Sequence, residues 1–487
     1  MTNNKINRTQ SKNEQLFIGR EYEQALLKQI ADQKEAAIII VHGRRRVGKT
    51  SIIEKVFSNR NIIKIEGLEQ GGLEEQLRQS VGQLAEQLPG HSISLWRPRS
   101  FSELFTLLWP IIKQGTWTLF LEEYQWLSCY ESKLTAELKI SWDNKFRHNP
   151  NLLLILCGSS PSFMISKVIN SKALHNRSQH ELAVKPLPFN DAKKMLDPKC
   201  TLTEAFDAYL LVGGIPEYLK RLNLESSCFL SFAKQAFAEN GFFINEFRRM
   251  LVSSLAKNPF YEKILRALGE VSFLDRTQLL RLSSAGDGGS TTQMLEDLAL
   301  CSFIRSYVPI DKKYNSKLIR YTLSDPFLRT YFKQISPLLN SIKQGLYNKY
   351  PERAVAFSTL RSHLGYAFQE YCQQNVLRIA EILQFAGIQF KAGSYFARKI
   401  NKEFPGFQVD LVFQRTDKVH TLCEIKYTRQ PVGVEIIDNY ERVVATYEKY
   451  FPGVRIHRVL ISAGGADEAL KRELVFDRII DLKDLVG

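Results

Sequence analysis

The sequence predicts an α/β fold in which helices cover both faces of a parallel sheet, and three observations predict it. Short apolar runs of strand length (Ala37–Val41, Asn61–Ile65, Trp117–Leu121, Leu152–Cys157 and Glu181–Val184) alternate with longer amphipathic stretches such as Leu73–Leu88 and Leu134–Arg147. Alternation of this kind specifies parallel strands joined by crossover helices. The first run leads directly into Gly43-Arg44-Arg45-Arg46-Val47-Gly48-Lys49-Thr50 and a helical stretch, Lys49–Phe57. The third run ends on the paired acids Glu122-Glu123.

Each element has a chemical reading. Glycines let a loop wrap its backbone N–H groups around phosphate oxygens, and the helix that follows presents further donors. Gly43, Arg44, Arg45, Arg46, Val47, Gly48, Lys49, Thr50 and Ser51 are therefore the candidate ATP-binding residues. Lys49 is expected to reach the β- and γ-phosphates and the Thr50 hydroxyl to sit on Mg²⁺. An apolar strand that delivers an acid to its C-terminal edge holds the same ion from the far side, so Glu122 joins Thr50 as a candidate metal ligand. Glu123 is placed to act as general base toward an attacking water. Ser159, in the turn Gly158-Ser159-Ser160 after the fourth run, is a candidate γ-phosphate sensor. Arg177 precedes the fifth run, where a trans-acting arginine of a ring assembly would lie.

Composition narrows the class. The 487 residues are too many for one ordinary core, so several domains are expected. No apolar run approaches membrane length, and the polar first fifteen residues offer nothing to a signal peptidase, which points to a cytoplasmic protein with a disordered tail. Seven scattered cysteines, none in a Cys-x-x-Cys pair, argue for reduced thiols and against structural zinc. A net charge of +15 favours polyanionic partners without deciding for them.

Beyond residue 250 the pattern changes. Tyr261–Leu268, Arg276–Leu282 and Thr291–Leu300 read as three short helices, followed by strands Phe303–Val308 and Leu318–Leu323. This is the outline of a winged helix-turn-helix. Its third helix carries Glu296 and Asp297 and no Lys or Arg, which favours packing or partner docking over DNA reading. Lys312, Lys313 and Lys317 in the wing remain available to a nucleic-acid backbone. In the hairpin 407–426, Asp410 lies opposite an apolar face of Val409, Leu411 and Phe413, and Glu424 and Lys426 share one face of the return strand. Two carboxylates and a lysine converging at a hairpin form a Mg²⁺ site with a water-orienting ammonium, so Asp410, Glu424 and Lys426 are candidate catalytic residues, the two acids as metal ligands. Asp-x13-Glu-x-Lys resembles the arrangement of the PD-(D/E)XK nucleases.

Phe17-Ile18-Gly19-Arg20-Glu21, the phosphate loop with its triple arginine, Leu119-Phe120-Leu121-Glu122-Glu123-Tyr124-Gln125, Cys157-Gly158-Ser159-Ser160, Gly213-Gly214-Ile215-Pro216-Glu217-Tyr218-Leu219 and Tyr321-Thr322-Leu323-Ser324-Asp325-Pro326-Phe327-Leu328 together resemble the archaeal-type AAA+ ATPases, which occur in archaea and bacteria. The resemblance covers nearly the whole chain except the polar tail, 1–15, and implies an AAA+ P-loop core with a parallel sheet over 16–190 and a helical lid over 191–250. A winged helix over 255–335 and an α/β PD-(D/E)XK nuclease-like domain over 336–487 would follow. It also implies that Phe17, Gly19 and Arg20 lie near the adenine. Two positions depart from the family pattern: Glu122 stands where Asp is usual, and Gln369 stands where a catalytic Glu is common. Glu370, adjacent on the same helix, points about 100° away.

Three functions follow as expectations. The first is an ATP- and Mg²⁺-dependent machine acting on nucleic acid, DNA above RNA, through a nuclease-like site. The second is a signalling or scaffold ATPase with a degenerate nuclease-like domain, bound to a protein partner or to its own copies. The third is a nucleotide-regulated transcription factor. None involves a membrane.

Overall fold

The computed structural model describes residues 17–223, 225, 227–310, 319–397 and 406–487. The expected tail and the wing residues Lys312, Lys313, Lys317 and Leu318 lie outside them. Strands β1 (Ala37–His42), β2 (Asn61–Glu66), β3 (Trp117–Glu122), β4 (Leu152–Gly158) and β5 (Ser178–Ala183) form one parallel sheet in the order β2-β3-β4-β1-β5. β1 and β4 are buried along their whole length because helices cover both faces, which is why they read as continuous apolar runs. Ile39, Val41, Phe120 and Ile155 pack on one side with the Glu21–Asp32 and Lys49–Val56 helices. Ile38, Ile40, Leu119 and Leu154 pack on the other with the Leu73–Gln87, Phe101–Ile112 and Lys133–Asn144 helices. β5 starts three residues earlier than its apolar content suggests; backbone pairing to β1, through a register shift between Ile38 and Ile39, recruits polar Ser178.

Helices then dominate. Thr201 and Ser227 accept hydrogen bonds from the N–H groups of Glu204 and Leu230, which fixes where the Leu202–Val212 and Cys228–Phe237 helices begin. The Glu246–Ser254 helix completes this layer. Phe206 is its hub: its ring meets Phe189 within the layer and Phe368, Tyr371 and Tyr427 from the C-terminal region. One hydrophobic cluster consequently runs from Ile39 in the first sheet to Ile480 near the chain end. This continuity fits a chain whose sequence shows no low-complexity linker.

Helices Pro259–Glu270, Arg276–Ser283 and Gly289–Leu300 surround an antiparallel sheet of β6 (Leu274–Asp275), β7 (Ile304–Tyr307) and β8 (Arg320–Leu323), in the order β6-β8-β7. The Gly289–Leu300 helix buries Thr291, Met294, Leu295 and Leu298, and its Asp297 accepts a hydrogen bond from the Tyr261 hydroxyl. After the Phe357–Gln374 helix comes a second five-stranded sheet: β9 (Phe390–Ala397), β10 (Phe407–Arg415), β11 (Val419–Lys426), β12 (Arg455–Ser462) and β13 (Arg478–Ile480). Its order is β13-β12-β11-β10-β9, antiparallel from β9 to β11 and parallel from β11 to β13. The Ile437–Tyr450 helix makes the parallel crossover.

The expected common face of Val409, Leu411 and Phe413 is corrected here. The β9–β10 register shifts between Val409 and Val412, so strict alternation fails. Val409 and Val412 pack with the Ile437–Tyr450 helix, whereas Leu411 and Phe413 pack in the cluster that includes Phe368. Among the described residues, no helix is long and apolar enough to cross a membrane.

Gly214 makes a tight backbone contact between the segment that follows β5 and the helical layer. Its carbonyl accepts from Leu187 N at 2.7 Å, and a Cβ there would lie 1.9 Å from Leu187 O. We expect Gly214→Ala to cost about 1–3 kcal/mol, read as a lowered midpoint of thermal or denaturant unfolding. Wild-type stability in that variant would contradict the packing described.

Candidate phosphate site and its connections

β4 separates β1 from β3, so the loop after β1 and the acids ending β3 flank one groove at the carboxyl edge of the sheet. Gly48, at φ 95°, starts the Lys49–Val56 helix. Lys49 is buried, and its ammonium donates to the carbonyls of Gly43 (2.9 Å) and Arg44 (3.1 Å). The Thr50 hydroxyl donates to Glu122 Oε1, so the two candidate metal ligands meet. Glu122 Oε2 is 2.5 Å from the Lys64 ammonium of β2. Glu66, two residues further along that strand, has its carboxyl pushed up by burial and by Glu122.

Glu123 adopts a left-handed backbone, φ 48°, as the chain turns out of β3. Its Oε2 accepts from the Ser159 hydroxyl (2.6 Å), Ser159 N (3.2 Å) and Gln125 Nε2 (2.8 Å), an arrangement that fixes the carboxylate. Ser159 also reaches Ser253 O at 3.3 Å, and Ser160 reaches Ser254 O at 2.7 Å. The turn after β4 thereby joins Glu123 to the end of the Glu246–Ser254 helix.

The three loop arginines separate. Arg44 turns inward: its guanidinium pairs with Asp325, donates to the Tyr218 hydroxyl at 3.3 Å, and lies over the Tyr218 and Phe303 rings. Arg44 and Asp325 are each only 5% exposed. Arg46, at φ 69°, pairs with Glu246 at 3.2 Å and lies over Phe242. Arg45 is half-buried. Arg20 clips the loop from below, donating to Val47 O (3.0 Å) and Lys185 O (2.6 Å). Gly19 sits against Asp191, Phe17 packs on the main cluster, and Ser51 is exposed on its helix. A cavity of about 400 Å³ opens beside Arg44, lined also by Lys185, Gly213, Asp325, Arg329 and Tyr371.

Arg177 lies elsewhere. It precedes β5, at the amino edge of the sheet and about 20 Å from the phosphate loop along the strand. There it makes a two-pronged pair with Asp143, at 2.7 and 3.0 Å.

In the C-terminal sheet, β10 and β11 pair only as far as Leu411 and Cys423, and the next residues outward are Asp410 and Glu424. Asp410 sits at this fork, where Ile425 N donates to its Oδ2 at 3.1 Å and Gln369 to its Oδ1 at 2.7 Å. Burial and the charge of Glu424 push the Asp410 carboxyl up to about 6. Lys426 and Glu424 form an ion pair at 2.7 Å. Burial alone would lower the Lys426 ammonium, but Glu424 and Asp410 together outweigh it and the net shift is upward. Glu370 faces away from Asp410, held by Arg305 of β7 at 3.0 Å.

Residues 17–222 match a protein-family model described as an ATPase domain predominantly from Archaea. Over this part of the chain, the parallel sheet and the glycine-bounded loop after β1 agree with that match to an ATPase domain of archaeal type. An uncharacterized protein of Methanocaldococcus jannaschii is 27% identical over 420 residues, covering 85% of this chain and 88% of that protein. An uncharacterized ATP-binding protein of the same organism is 40% identical over 47 residues, 10% of this chain and 80% of that protein. Among solved structures, a Walker-type ATPase of Pyrococcus abyssi aligns with a TM-score of 0.46 at 21% identity, covering 65% of this chain and 96% of that one.

Sequence reasoning missed Lys64, Gln125, Arg305 and Asp325 as partners of these sites. Lys64 carried a signal, being the one cation among Ile62, Ile63 and Ile65. Arg305 and Asp325 did not, because their partners come from distant chain segments, and Gln125, two residues from Glu123, reads as an ordinary polar residue after the strand. Removing one member of a buried ion pair strands the other, so we expect Arg44→Ala to cost about 3–5 kcal/mol in denaturant unfolding. Arg44→Met with Asp325→Asn should recover part of that loss, since Asn keeps an acceptor for Leu328 N without the charge. A negligible cost for Arg44→Ala would contradict the buried pair.

Proposed function

We propose that this chain is a nucleotide-driven ATPase whose C-terminal sheet carries a nuclease-like, metal-dependent site for nucleic acid, with DNA favoured over RNA. The observation that carries this reading is the convergence of Asp410, Glu424 and Lys426 at a strand fork packed on the same hydrophobic cluster as the phosphate loop.

In the ATPase domain, Lys49 would exchange its two loop carbonyls for β- and γ-phosphate oxygens, a swap of acceptors at little cost. The loop amides and the helix that Gly48 starts bind the remaining phosphate charge. Thr50 and Glu122 offer adjoining hard oxygens, a donor set that fits Mg²⁺, which when bound shields phosphate charge. Lys64 limits the charge that Glu122 presents to such an ion. Glu123, oriented by Ser159 and Gln125, accepts a proton from the attacking water. Because Ser159 and Ser160 also bond the Glu246–Ser254 helix, and Arg44 and Arg46 bond Tyr218, Asp325 and Glu246, changes at the γ-phosphate would shift the lid and the three-helix region together. That region supports a winged-helix reading through its helix and strand order, with Asp297 engaged internally rather than offered to DNA.

At the fork, Asp410 and Glu424 are the carboxylates that would hold a divalent ion, which supplies a nucleophile at neutral pH when bound. Lys426 donates toward the charge that develops on the scissile phosphate. Gln369 orients Asp410 as a neutral donor. That contact favours a second reading, a signalling or scaffold ATPase in which the fork binds a partner without cleaving. Nothing in the arrangement favours the transcription-factor reading.

ATP binding should be lost in Lys49→Ala, whereas Glu123→Gln should bind ATP normally and hydrolyse it about 10²–10⁴-fold more slowly, as read by isothermal titration and phosphate release. Full turnover in Glu123→Gln would remove Glu123 as the base. Cleavage of labelled single- and double-stranded DNA and RNA with Mg²⁺ or Mn²⁺ tests the fork. Activity should vanish in Glu424→Ala/Lys426→Ala and rise in Gln369→Glu. Intact substrate with every variant, alongside normal ATP binding, would favour the scaffold reading.

A further inference from the structure

Two of the seven cysteines, separated by 28 residues in sequence, come together in the helical layer. Cys200 Sγ and Cys228 Sγ are 2.9 Å apart. Glu204, one turn after Cys200, closes the cluster: its Oε1 accepts from Cys228 N at 2.8 Å, and one ligand atom from each of the three residues lies within 4.8 Å of the others. Cys228 is buried and Cys200 half-buried, on the turn that runs from Asp197 into the Thr201 cap.

We propose that Cys200, Cys228 and Glu204 form a binding site for a thiophilic divalent cation, Zn²⁺ being the best chemical match. Two sulfurs and a carboxylate oxygen suit a borderline-soft ion and leave a fourth, outward position for Asp197 or water. Sulfurs bound tetrahedrally to one zinc lie about 3.8 Å apart, so these two must separate by about 0.9 Å, a movement that rotation at half-buried Cys200 supplies. Glu204 distinguishes this reading from a simple disulfide. The charged carboxylate of Glu204 beside the two sulfurs is a third ligand that a disulfide has no use for. The same negative charge favours a bound cation. Sequence spacing gave no hint of the site, because the second sulfur arrives through tertiary packing of two helices.

Such an ion would tie the start of the Leu202–Val212 helix to the start of the Cys228–Phe237 helix. The first of these also carries Phe206 and Asp207, which contact Phe368, Tyr427 and Arg429 of the C-terminal region. The site therefore stiffens the strut between the two halves of the chain and stands independently of the proposed function.

The test uses the full chain, expressed with zinc and dialysed into metal-free buffer. Elemental analysis should find about one zinc per chain, falling about tenfold in Cys200→Ser/Cys228→Ser. Cobalt reconstitution should give a sulfur-to-cobalt charge-transfer band in the wild type only. Should the double variant fold poorly, Glu204→Gln keeps both thiols and the acceptor for Cys228 N, and should release zinc to a chromophoric chelator about tenfold more readily. Equal metal content in all three proteins, or a Cys200–Cys228 disulfide in non-reducing peptide maps of the isolated protein, would overturn the proposal.

Discussion

The buried pair of Arg44 and Asp325 is the constraint on which much of this structure depends. It joins residues 281 positions apart and places a charge of the phosphate loop against the segment that opens the C-terminal half. Both groups are nearly removed from water, so each is tolerable only while the other is present. Tyr218 and Phe303 complete the enclosure from the helical layer and from the start of β7. A loop that binds phosphate through its backbone can commit its arginine side chains to other tasks. Here two of the three hold the layers that a bound nucleotide would have to move.

The same economy governs the acids. Glu122 is shared between Thr50 and Lys64, Glu123 between Ser159 and Gln125, Glu246 between Tyr218 and Arg46, and Glu370 lies on Arg305. Apart from the local Glu123–Gln125 contact, each crosses from one element to another, so local charge at the site is also structural connection. At the C-terminal fork, the hydrogen-bond donors to Asp410 among the described residues are neutral, and its raised pKa reflects burial beside Glu424. A divalent cation would satisfy that pair of carboxylates more fully than the single ammonium of Lys426.

Much of the fold was legible because its signals are local. The apolar runs of β1 to β4 and the glycines of the phosphate loop report backbone demands that neighbouring residues meet. The bulge in β10 was invisible, since Val409, Leu411 and Phe413 alternate perfectly and only pairing with β9 breaks the register. Of the site, the phosphate loop and the Glu122-Glu123 strand end could be read directly. The inward turn of Arg44 could not, because three adjacent arginines look alike until Asp325 and Glu246 select two of them. Lys64 pairing with Glu122 and the meeting of Cys200 with Cys228 belong to the same class, fixed by tertiary contact rather than by spacing.

The most direct test of the coupling is hydrogen exchange across 320–330 and 407–426, with and without a non-hydrolysable ATP analogue, in the wild type and in Asp325→Asn. Coupling through Arg44 and Asp325 requires that the analogue change exchange in both segments of the wild type, and that the response at 407–426 be lost in Asp325→Asn although the analogue still binds. An unchanged response in the variant, or none in the nucleotide-bound wild type, would contradict it.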